Sequence, residues 1–211
     1  SVSRGLGDVY KRQLLMNYGV LGVIRLALDF IGTKIAFRKS RLIRFPIDIR
    51  GRSFIDFGSN LTTGRYCRLE VYPIEHKKGI LKIGDNVEIN DFVHIAARLS
   101  VQIGNNVLIA SKVFISDIQH GCYNSNKMFN DCYPDIPPKE RSLFAESVFV
   151  GDNVWIGESV SILAGVKIGD FSIIGANSVV CKSIPSYSIA VGNPATVIKK
   201  FNKTTNKWEK V

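Results

Sequence analysis

Apolar side chains recur every six residues over much of this chain. The most regular series consists of Val150, Ile156, Ile162, Ile168, Ile174 and Val180. Two shorter series precede it, the second displaced by two residues: Ile83, Ile89, Ile95, and then Ile103, Ile109, Ile115. Ile55 and Leu61 suggest an earlier, degraded repeat. The period fits neither the 3.6 residues of an amphipathic helix nor the alternation of a half-buried strand.

A fixed six-residue period predicts a parallel β-helix, in which three repeats make one triangular coil. The repeating aliphatic side chain points into the prism and stacks on its equivalents in coils about 4.8 Å away. Small residues such as Gly84, Gly104 and Gly157 follow many of these positions, where the chain turns a corner. A β-sandwich would instead show period 2, with turn clusters every ~8–12 residues. We therefore predict one all-β domain over residues 39–191.

A strongly apolar segment, residues 14–38, precedes the repeats. Its uncharged part runs only from Leu14 to Ile24, which is short for a membrane-spanning helix. The pattern favours an amphipathic helix that covers an end or a side of the domain. The alternative is a helix lying on a membrane surface, which Arg38, Arg41 and Arg44 would support.

Two other segments depart from the period. Residues 117–147 form a long interruption that contains Pro134, Pro137 and Pro138, and a loop of that length in a compact domain is usually functional. Residues 192–211 form a basic tail, for which we expect a helix or a frayed end. Residues 1–13 fit no downstream pattern and resemble translated adapter sequence, so we leave them out of the functional reasoning; a native disordered start is the alternative.

Charge and cysteine content narrow the class of protein. The formal net charge of +10 suits an anionic ligand, an acidic glycan or a membrane surface. It does not indicate nucleic-acid binding, because no aromatic interleaving or known module accompanies it. The four cysteines match no zinc or redox spacing. Without a recognisable signal peptide, the cytoplasm is the simplest compartment.

Two stretches carry a family resemblance: IGNNVLIASKVFISDIQHG (103–121) and NVWIGESVSILAGVKIGDFSIIGANSVVCKSIPSYSIAVGNPATVIKK (153–200). They resemble the hexapeptide-repeat acetyltransferases that modify maltose, galactosides and Nod factors. Residues 41–71 resemble bacterial O-acetyltransferases of lipopolysaccharide and capsule assembly. The resemblance implies a left-handed β-helix, a homotrimer, and transfer of an acetyl group from acetyl-coenzyme A to a hydroxyl of a surface-polysaccharide precursor. It implies no metal.

The same resemblance assigns the site residues one by one. His120, at the start of the interruption, corresponds to the catalytic base, and Asp117 could orient its ring or hold it neutral. Asn90 corresponds to a residue that contacts the acceptor sugar. The residues implied for acetyl-coenzyme A are Trp155, Gly157, Ala176, Lys182 and Lys199. We interpret His94 as a structural corner residue and assign His76 no role.

Other functions remain open at this stage. The substrate could be a small soluble sugar or an antibiotic, and the chain could be an inactive β-helix scaffold in which His120 is dispensable. Two further classes are disfavoured. A β-helix carbonic anhydrase would need several histidines at ligand spacing, and the chain has only His76, His94 and His120. A nucleotidyltransferase would need an added dinucleotide-binding domain, and the sequence shows no glycine-rich segment of that kind. Two departures from the family bear on the acceptor: the loop after His120 is longer, and an apolar helix replaces the family's N-terminal module.

Overall fold

The computed structural model describes residues 2–73, 80–123 and 132–211, with backbone alone at residues 2–12 and 14. One N-terminal helix, α1 (Val2–Ala36), precedes a three-sided stack of short strands. The first face of the stack contains β1 (Leu42–Ile43), β4 (Thr62–Thr63), β7 (Glu88–Ile89), β10 (Leu108–Ile109), β15 (Trp155–Ile156), β18 (Ile173–Ile174), β20 (Ser188–Gly192), β21 (Ala195–Asn202) and β22 (Lys207–Lys210).

The second face contains β2 (Asp48–Arg50), β5 (Arg68–Val71), β8 (His94–Ala97), β11 (Phe114–Ser116), β16 (Ser161–Ile162) and β19 (Val179–Val180). The third contains β3 (Ile55–Phe57), β6 (Leu81–Ile83), β9 (Val101–Ile103), β14 (Val148–Val150) and β17 (Lys167–Ile168). A separate antiparallel pair, β12 (Ile118–His120) with β13 (Leu143–Ala145), lies within the interrupting segment, and short 3₁₀ helices occupy Arg52–Phe54 and Pro138–Glu140.

The strand register confirms the prediction made from the period. Val150, Ile156 and Ile162 lie on the third, first and second faces in turn, and each pairs in parallel with its equivalent in the neighbouring coil. Ile109, for example, lies between Ile89 and Ile156. These side chains are fully buried and form one continuous core along the prism. The chain is therefore a parallel β-helix.

Polar side chains connect the coils along the corner between the third and first faces. The backbone N–H of Ser59 donates to Asp85 Oδ1 (2.6 Å), and that of Asp85 donates to Asn105 Oδ1 (2.8 Å). The N–H of Asn105 donates to Asp152 (2.6 Å), and that of Asp152 to Asp170 (2.9 Å). Each carboxylate or amide thus satisfies a corner N–H that the parallel ladder leaves unpaired.

Both ends of the prism extend beyond the regular repeats. At the start, β1 and β2 add a coil before Ile55, with parallel pairs to the next turn. At the end, β20, β21 and β22 form antiparallel hairpins that widen the first face. The expectation of a helical or frayed tail was wrong. The burial of side chains largely alternates between Ala195 and Asn202, as in a strand with one covered face. The ring of Trp208 packs on that of Phe201, with 5.3 Å between the ring centroids.

Helix α1 packs against the prism through buried polar side chains. It begins at Val2, so it includes residues 2–13, and Gly19, with φ of 63°, divides it into two helical parts. Asp29 and Thr33 are buried against the prism: Asp29 pairs with Arg65 at 2.6 Å, and Thr33 Oγ1 accepts the N–H of Ile43 at 2.8 Å. Within the described part of the chain, no helical segment has the length and hydropathy that crossing a bilayer requires.

Candidate active site

A cavity of about 430 Å³ opens on the outer surface of the second face. Outward side chains of β5, β8 and β11 form its floor, and the β12–β13 pair contributes one wall. Its polar lining consists of Glu70, Tyr72, His94, Ser116 and His120. Because outward and inward side chains alternate along each strand, these groups face the cavity while their neighbours fill the core.

His120 lies at the edge of this cavity, where the repeat breaks. It is the last residue of β12 and pairs with Leu143 of β13. Its side chain is exposed, and among the described residues its imidazole has no hydrogen-bond partner. Such a ring can approach a bound hydroxyl without first breaking a contact with the protein.

Asp117 directly precedes β12 and is fully buried. Its carboxylate accepts the backbone N–H groups of Arg98, Leu99 and Ser100, each at 2.8 Å. Burial raises the pKa of this carboxyl more than the three hydrogen bonds lower it. The carboxylate is therefore engaged with residues 98–100, and the structure shows it binding backbone there, with no hydrogen bond to the His120 ring.

Asn90 lies in a different cleft. That cleft, of about 420 Å³, runs between α1 and the corner after β7, and its lining includes Arg25, Arg44 and Arg65. A single chain therefore does not bring Asn90 into the cavity that contains His120.

The residues assigned to acetyl-coenzyme A divide into two groups. Trp155, 51% exposed, projects from β15 on the first face, and Gly157 and Ala176 occupy the corner that follows in successive coils. A Cβ on Gly157 would lie 2.6 Å from the backbone nitrogen of Ala176, so coil stacking by itself requires glycine there. Lys199 lies in β21 opposite Ile189, on the same face, whereas Lys182 is exposed beyond β19 at the next corner.

Sequence reasoning missed a polar cluster that lies partly within the His120 cavity and partly beside it. Arg68, Glu70 and Tyr72 project from consecutive outward positions of one strand and its end, and His94 lies opposite Arg68 in β8. The interpretation of His94 as a corner residue was wrong, because it is paired within the second face between Arg68 and Phe114. Alternating polar residues at 68, 70 and 72 were the available signal. His76 lies outside the described residues.

Comparison with known proteins identifies the family of this chain. Residues 147–182 match the family described as bacterial transferase hexapeptide (six repeats). The chain is 44% identical to WbbJ of Escherichia coli (strain K12), whose name assigns it to lipopolysaccharide biosynthesis as an O-acetyl transferase, over 94% of this chain and 98% of that protein. It is 37% identical to the galactoside O-acetyltransferase of the same organism, over 58% of this chain and 55% of that enzyme.

A solved structure shares the fold at lower identity. A point mutant of AntD, an N-acyltransferase from Bacillus cereus, superposes with a TM-score of 0.64 at 22% identity, over 83% of this chain and 90% of that one. At this identity the likeness concerns the left-handed β-helix alone. Two findings show the family: the match to WbbJ along nearly the whole of both chains, and the match to the hexapeptide family model. This chain belongs to the bacterial hexapeptide-repeat acetyltransferases and is an acyltransferase.

Proposed function

We propose that this enzyme transfers the acetyl group of acetyl-coenzyme A to a hydroxyl of a sugar in a bacterial surface-polysaccharide precursor, with His120 as general base. The observation that carries the proposal is the exposed His120 imidazole at the edge of a cavity on the β-helix surface. Similarity to WbbJ along nearly the whole of both chains supports the acceptor class.

The proposed reaction is a direct transfer. The acceptor hydroxyl gives its proton to the His120 imidazole while its oxygen attacks the thioester carbonyl. The carbon–sulfur bond then breaks, the coenzyme leaves as a thiolate, and the imidazolium returns the proton to that sulfur. The products are an acetyl ester and free thiol. An imidazole can accept this proton in its neutral form and return it in its charged form, as general acid–base catalysis requires.

Asp117 acts in this proposal as a positioning residue. Its carboxylate fixes the backbone of residues 98–100 against the start of β12. The carbonyl oxygen of Asp117 also accepts the N–H of Glu146 at 3.0 Å, which secures the returning chain after β13. The residue therefore sets the direction in which β12 leaves the prism, and with it the place of His120.

The first-face edge is the proposed binding surface for acetyl-coenzyme A. Trp155 offers an exposed indole to the pantetheine arm, and Gly157 and Ala176 offer backbone along the adjacent corner. Lys199 lies on the same face and would approach the nucleotide phosphates. Lys182 belongs to this set only if a neighbouring prism brings it there.

A homotrimer is part of the proposal, because single-chain geometry separates the implied residues. Asn90 and His120 line different cavities, and a site between adjacent prisms could unite them. Exposed apolar side chains at Leu108, Phe149 and Trp155 also leave surface that a neighbour would cover. Light scattering on the purified enzyme should return three times the mass of one chain.

We further propose that the enzyme is cytoplasmic and contacts the inner membrane peripherally through α1. The helix exposes its apolar side chains away from the prism, with Met16 at 85% and Leu21 at 82% exposure. Arg25 and Arg38 lie on or directly after the same helix. Binding to vesicles of phosphatidylglycerol and phosphatidylethanolamine should fall in Leu21→Glu relative to wild type, and equal binding by both would oppose this contact.

The function is tested by following thiol release from acetyl-coenzyme A with methyl hexopyranosides, nucleotide hexoses and lipid-linked oligosaccharides. We expect an acceptor-dependent rate in wild type and a loss of roughly 10²–10⁴-fold in His120→Ala. Gln119→Ala is the matched control, because its side chain comes from the same strand but faces the other way. Equal rates in wild type and His120→Ala would refute the assigned base, and a preference for free sugars would move the acceptor to the small-molecule class.

A further inference from the structure

Four polar side chains form a connected cluster on the second face, and three of them, Glu70, Tyr72 and His94, line the His120 cavity. Strand register places Arg68 opposite His94 and Glu70 opposite Ala96. Because outward positions of neighbouring strands lie about 5 Å apart, side chains from β5 and β8 meet above the sheet. The cluster is not used in the chemistry assigned to His120.

Glu70 is the centre of the cluster. Its side chain is only 3% exposed, and its carboxylate accepts hydrogen bonds from Arg68 (2.8 Å) and the Tyr72 hydroxyl (2.9 Å). The third close partner is His94 Nε2, at 2.8 Å from Glu70 Oε1. Burial raises the pKa of Glu70, but the hydrogen bonds from His94, Arg68 and Tyr72 outweigh it and leave the pKa below its usual value. Glu70 is therefore a fixed carboxylate.

This carboxylate determines the protonation of the His94 ring. Nε2 faces both Glu70 Oε1 at 2.8 Å and Arg68 Nε at 3.2 Å. Arg68 Nε can only donate to Nε2, whereas Glu70 can only accept from it, so the two contacts require opposite tautomers of the ring. We assign the proton to Nε2, because its contact with the anionic carboxylate is the shorter of the two. In the neutral ring Nδ1 is then an acceptor. Among the described residues, nothing on the protein donates to it.

We propose that His94 binds the acceptor sugar: its Nδ1 accepts a hydrogen bond from a second hydroxyl of the sugar whose reacting hydroxyl lies at His120. This inference rests on the proposed function and specifies its acceptor subsite. A half-buried acceptor nitrogen requires a donor, and a sugar hydroxyl is one. The amide N–H groups of the pantetheine arm are also donors, but the surface proposed for that arm lies at Trp155 on the first face, whereas His94 lies on the second.

Glu70 faces Arg68 at 2.8 Å and Arg50 at 3.4 Å, and Arg50 in turn pairs with Asp48 at 2.7 Å. The two carboxylates balance the two guanidinium groups, so the floor of the cavity suits a neutral hydroxyl.

Glu70 is a positioning residue in this scheme. It touches no substrate, but it selects which ring nitrogen of His94 is unprotonated. Glu70→Gln can present an N–H instead of an oxygen to Nε2, which would favour the opposite tautomer. The variant should therefore weaken acceptor binding in the same direction as removal of the His94 ring nitrogens.

The test compares His94→Phe with wild type, using the best acceptor of the methyl hexopyranoside and nucleotide-hexose panel and its single-deoxy analogues. We expect the KM for the full acceptor to rise roughly 3- to 10-fold, as for one neutral hydrogen bond. The KM for acetyl-coenzyme A should change by less than about twofold, because the thioester makes no such bond. One deoxy analogue should show no difference between wild type and variant, because it lacks the hydroxyl that His94 binds.

Controls separate a binding role from a structural one. Glu88→Gln makes the same change as Glu70→Gln at an exposed outward position of the first face, and it should leave the acceptor KM unchanged. Should His94→Phe fail to fold, as judged by circular dichroism, His94→Lys replaces it, because its ammonium can still donate to Glu70 but cannot accept a hydrogen bond from the sugar. An equal KM change across all deoxy analogues, or no change with the full acceptor, overturns the inference.

Failure of the inference is distinguishable from failure of the proposed function. If His120→Ala loses activity while His94→Phe keeps the wild-type acceptor KM, the assigned base stands and the subsite is wrong. If His120→Ala retains full activity, the proposed function fails whatever His94 does. A collapse of kcat in His94→Phe with full activity in His120→Ala would overturn both assignments.

Discussion

Asp117 stabilises the backbone at the point where the repeat is interrupted, directly before the strand that carries the proposed base, His120. Its two carboxylate oxygens accept three backbone N–H groups at 2.8 Å, one on Oδ1 from Arg98 and two on Oδ2 from Leu99 and Ser100. The side chain is fully buried, so water cannot replace a lost partner. Asp117→Asn substitutes one of these oxygens by an NH₂ group and changes almost nothing in volume.

The expected loss in the free energy of unfolding of Asp117→Asn follows from counting which backbone N–H groups the new side chain can still accept. An asparagine oxygen can keep the two N–H groups of Leu99 and Ser100, but its NH₂ then faces the N–H of Arg98. One buried unsatisfied donor costs roughly 1–3 kcal/mol, and the retained bonds lose their charge assistance. Relief from burying a charge, which the raised pKa of Asp117 reflects, offsets part of this. We expect a net loss of about 2–4 kcal/mol in the free energy of unfolding.

Urea unfolding followed by circular dichroism measures this loss. Asp85→Asn is the matched control, because its exposed carboxylate accepts one N–H, from Ser59, which the amide oxygen of asparagine can still accept. The control should lie within about 0.5 kcal/mol of wild type. The kcat of Asp117→Asn should also fall, by roughly 10²-fold if β12 shifts by about an ångström.

Two results would refute this reasoning. An unfolding midpoint of Asp117→Asn equal to that of Asp85→Asn would show that the three N–H groups do not depend on the carboxylate. A large loss of kcat without any loss of stability would instead assign Asp117 a direct role toward His120, which the hydrogen bonds of the structure do not show.

Three further predictions concern the core, the cavity floor and the thiols. Ile162→Ala should cost about 2–5 kcal/mol in urea unfolding, because the side chain is fully buried in the inward stack. Glu70→Gln should be less stable than wild type at pH 7. Since the folded pKa of Glu70 lies below its usual 4.5, that difference should shrink as the pH falls below 4.5 in unfolding experiments. At pH 8, iodoacetamide should modify the exposed Cys181 but not Cys67, whose pKa burial raises to about 11, as peptide mass spectrometry can show.

Each of these has a contrary outcome. A cost below 1 kcal/mol for Ile162→Ala would mean that the coils collapse around the cavity more readily than a stacked prism should. A stability difference for Glu70→Gln that grows in acid would reverse the sign of its pKa shift. Equal labelling of both cysteines in the folded enzyme would contradict the burial of Cys67.

Most of the prism could be predicted from the repeat alone. A side chain that stacks on its own equivalents gives a strict period, and the series from Val150 to Val180 therefore indicated both the coil and its three faces. The break in that period also located the segment that bears His120. Such signals are local, because each coil contacts only the coils beside it.

The ends of the prism were less predictable for a physical reason. Thr63 of β4 occupies the inward position that aliphatic residues fill elsewhere, and this weakened the period in the coil that pairs with β1 and β2. The tail after Gly192 pairs antiparallel, a mode that needs no six-residue repeat. Its strands depend on the open edge that the last coil presents, and no local pattern describes that edge.

The amino-acid sequence by itself determined the β-helix, its family and the position of His120, since stacking along one axis imposes the same small set of residues on every coil. Only the tertiary structure decided which polar groups share the His120 cavity. Glu70 and His94 lie 24 residues apart in the chain, and they meet because two coils superpose their second faces. Contacts between coils depend on which residues of neighbouring strands lie opposite each other, and that register is set only when the coils stack.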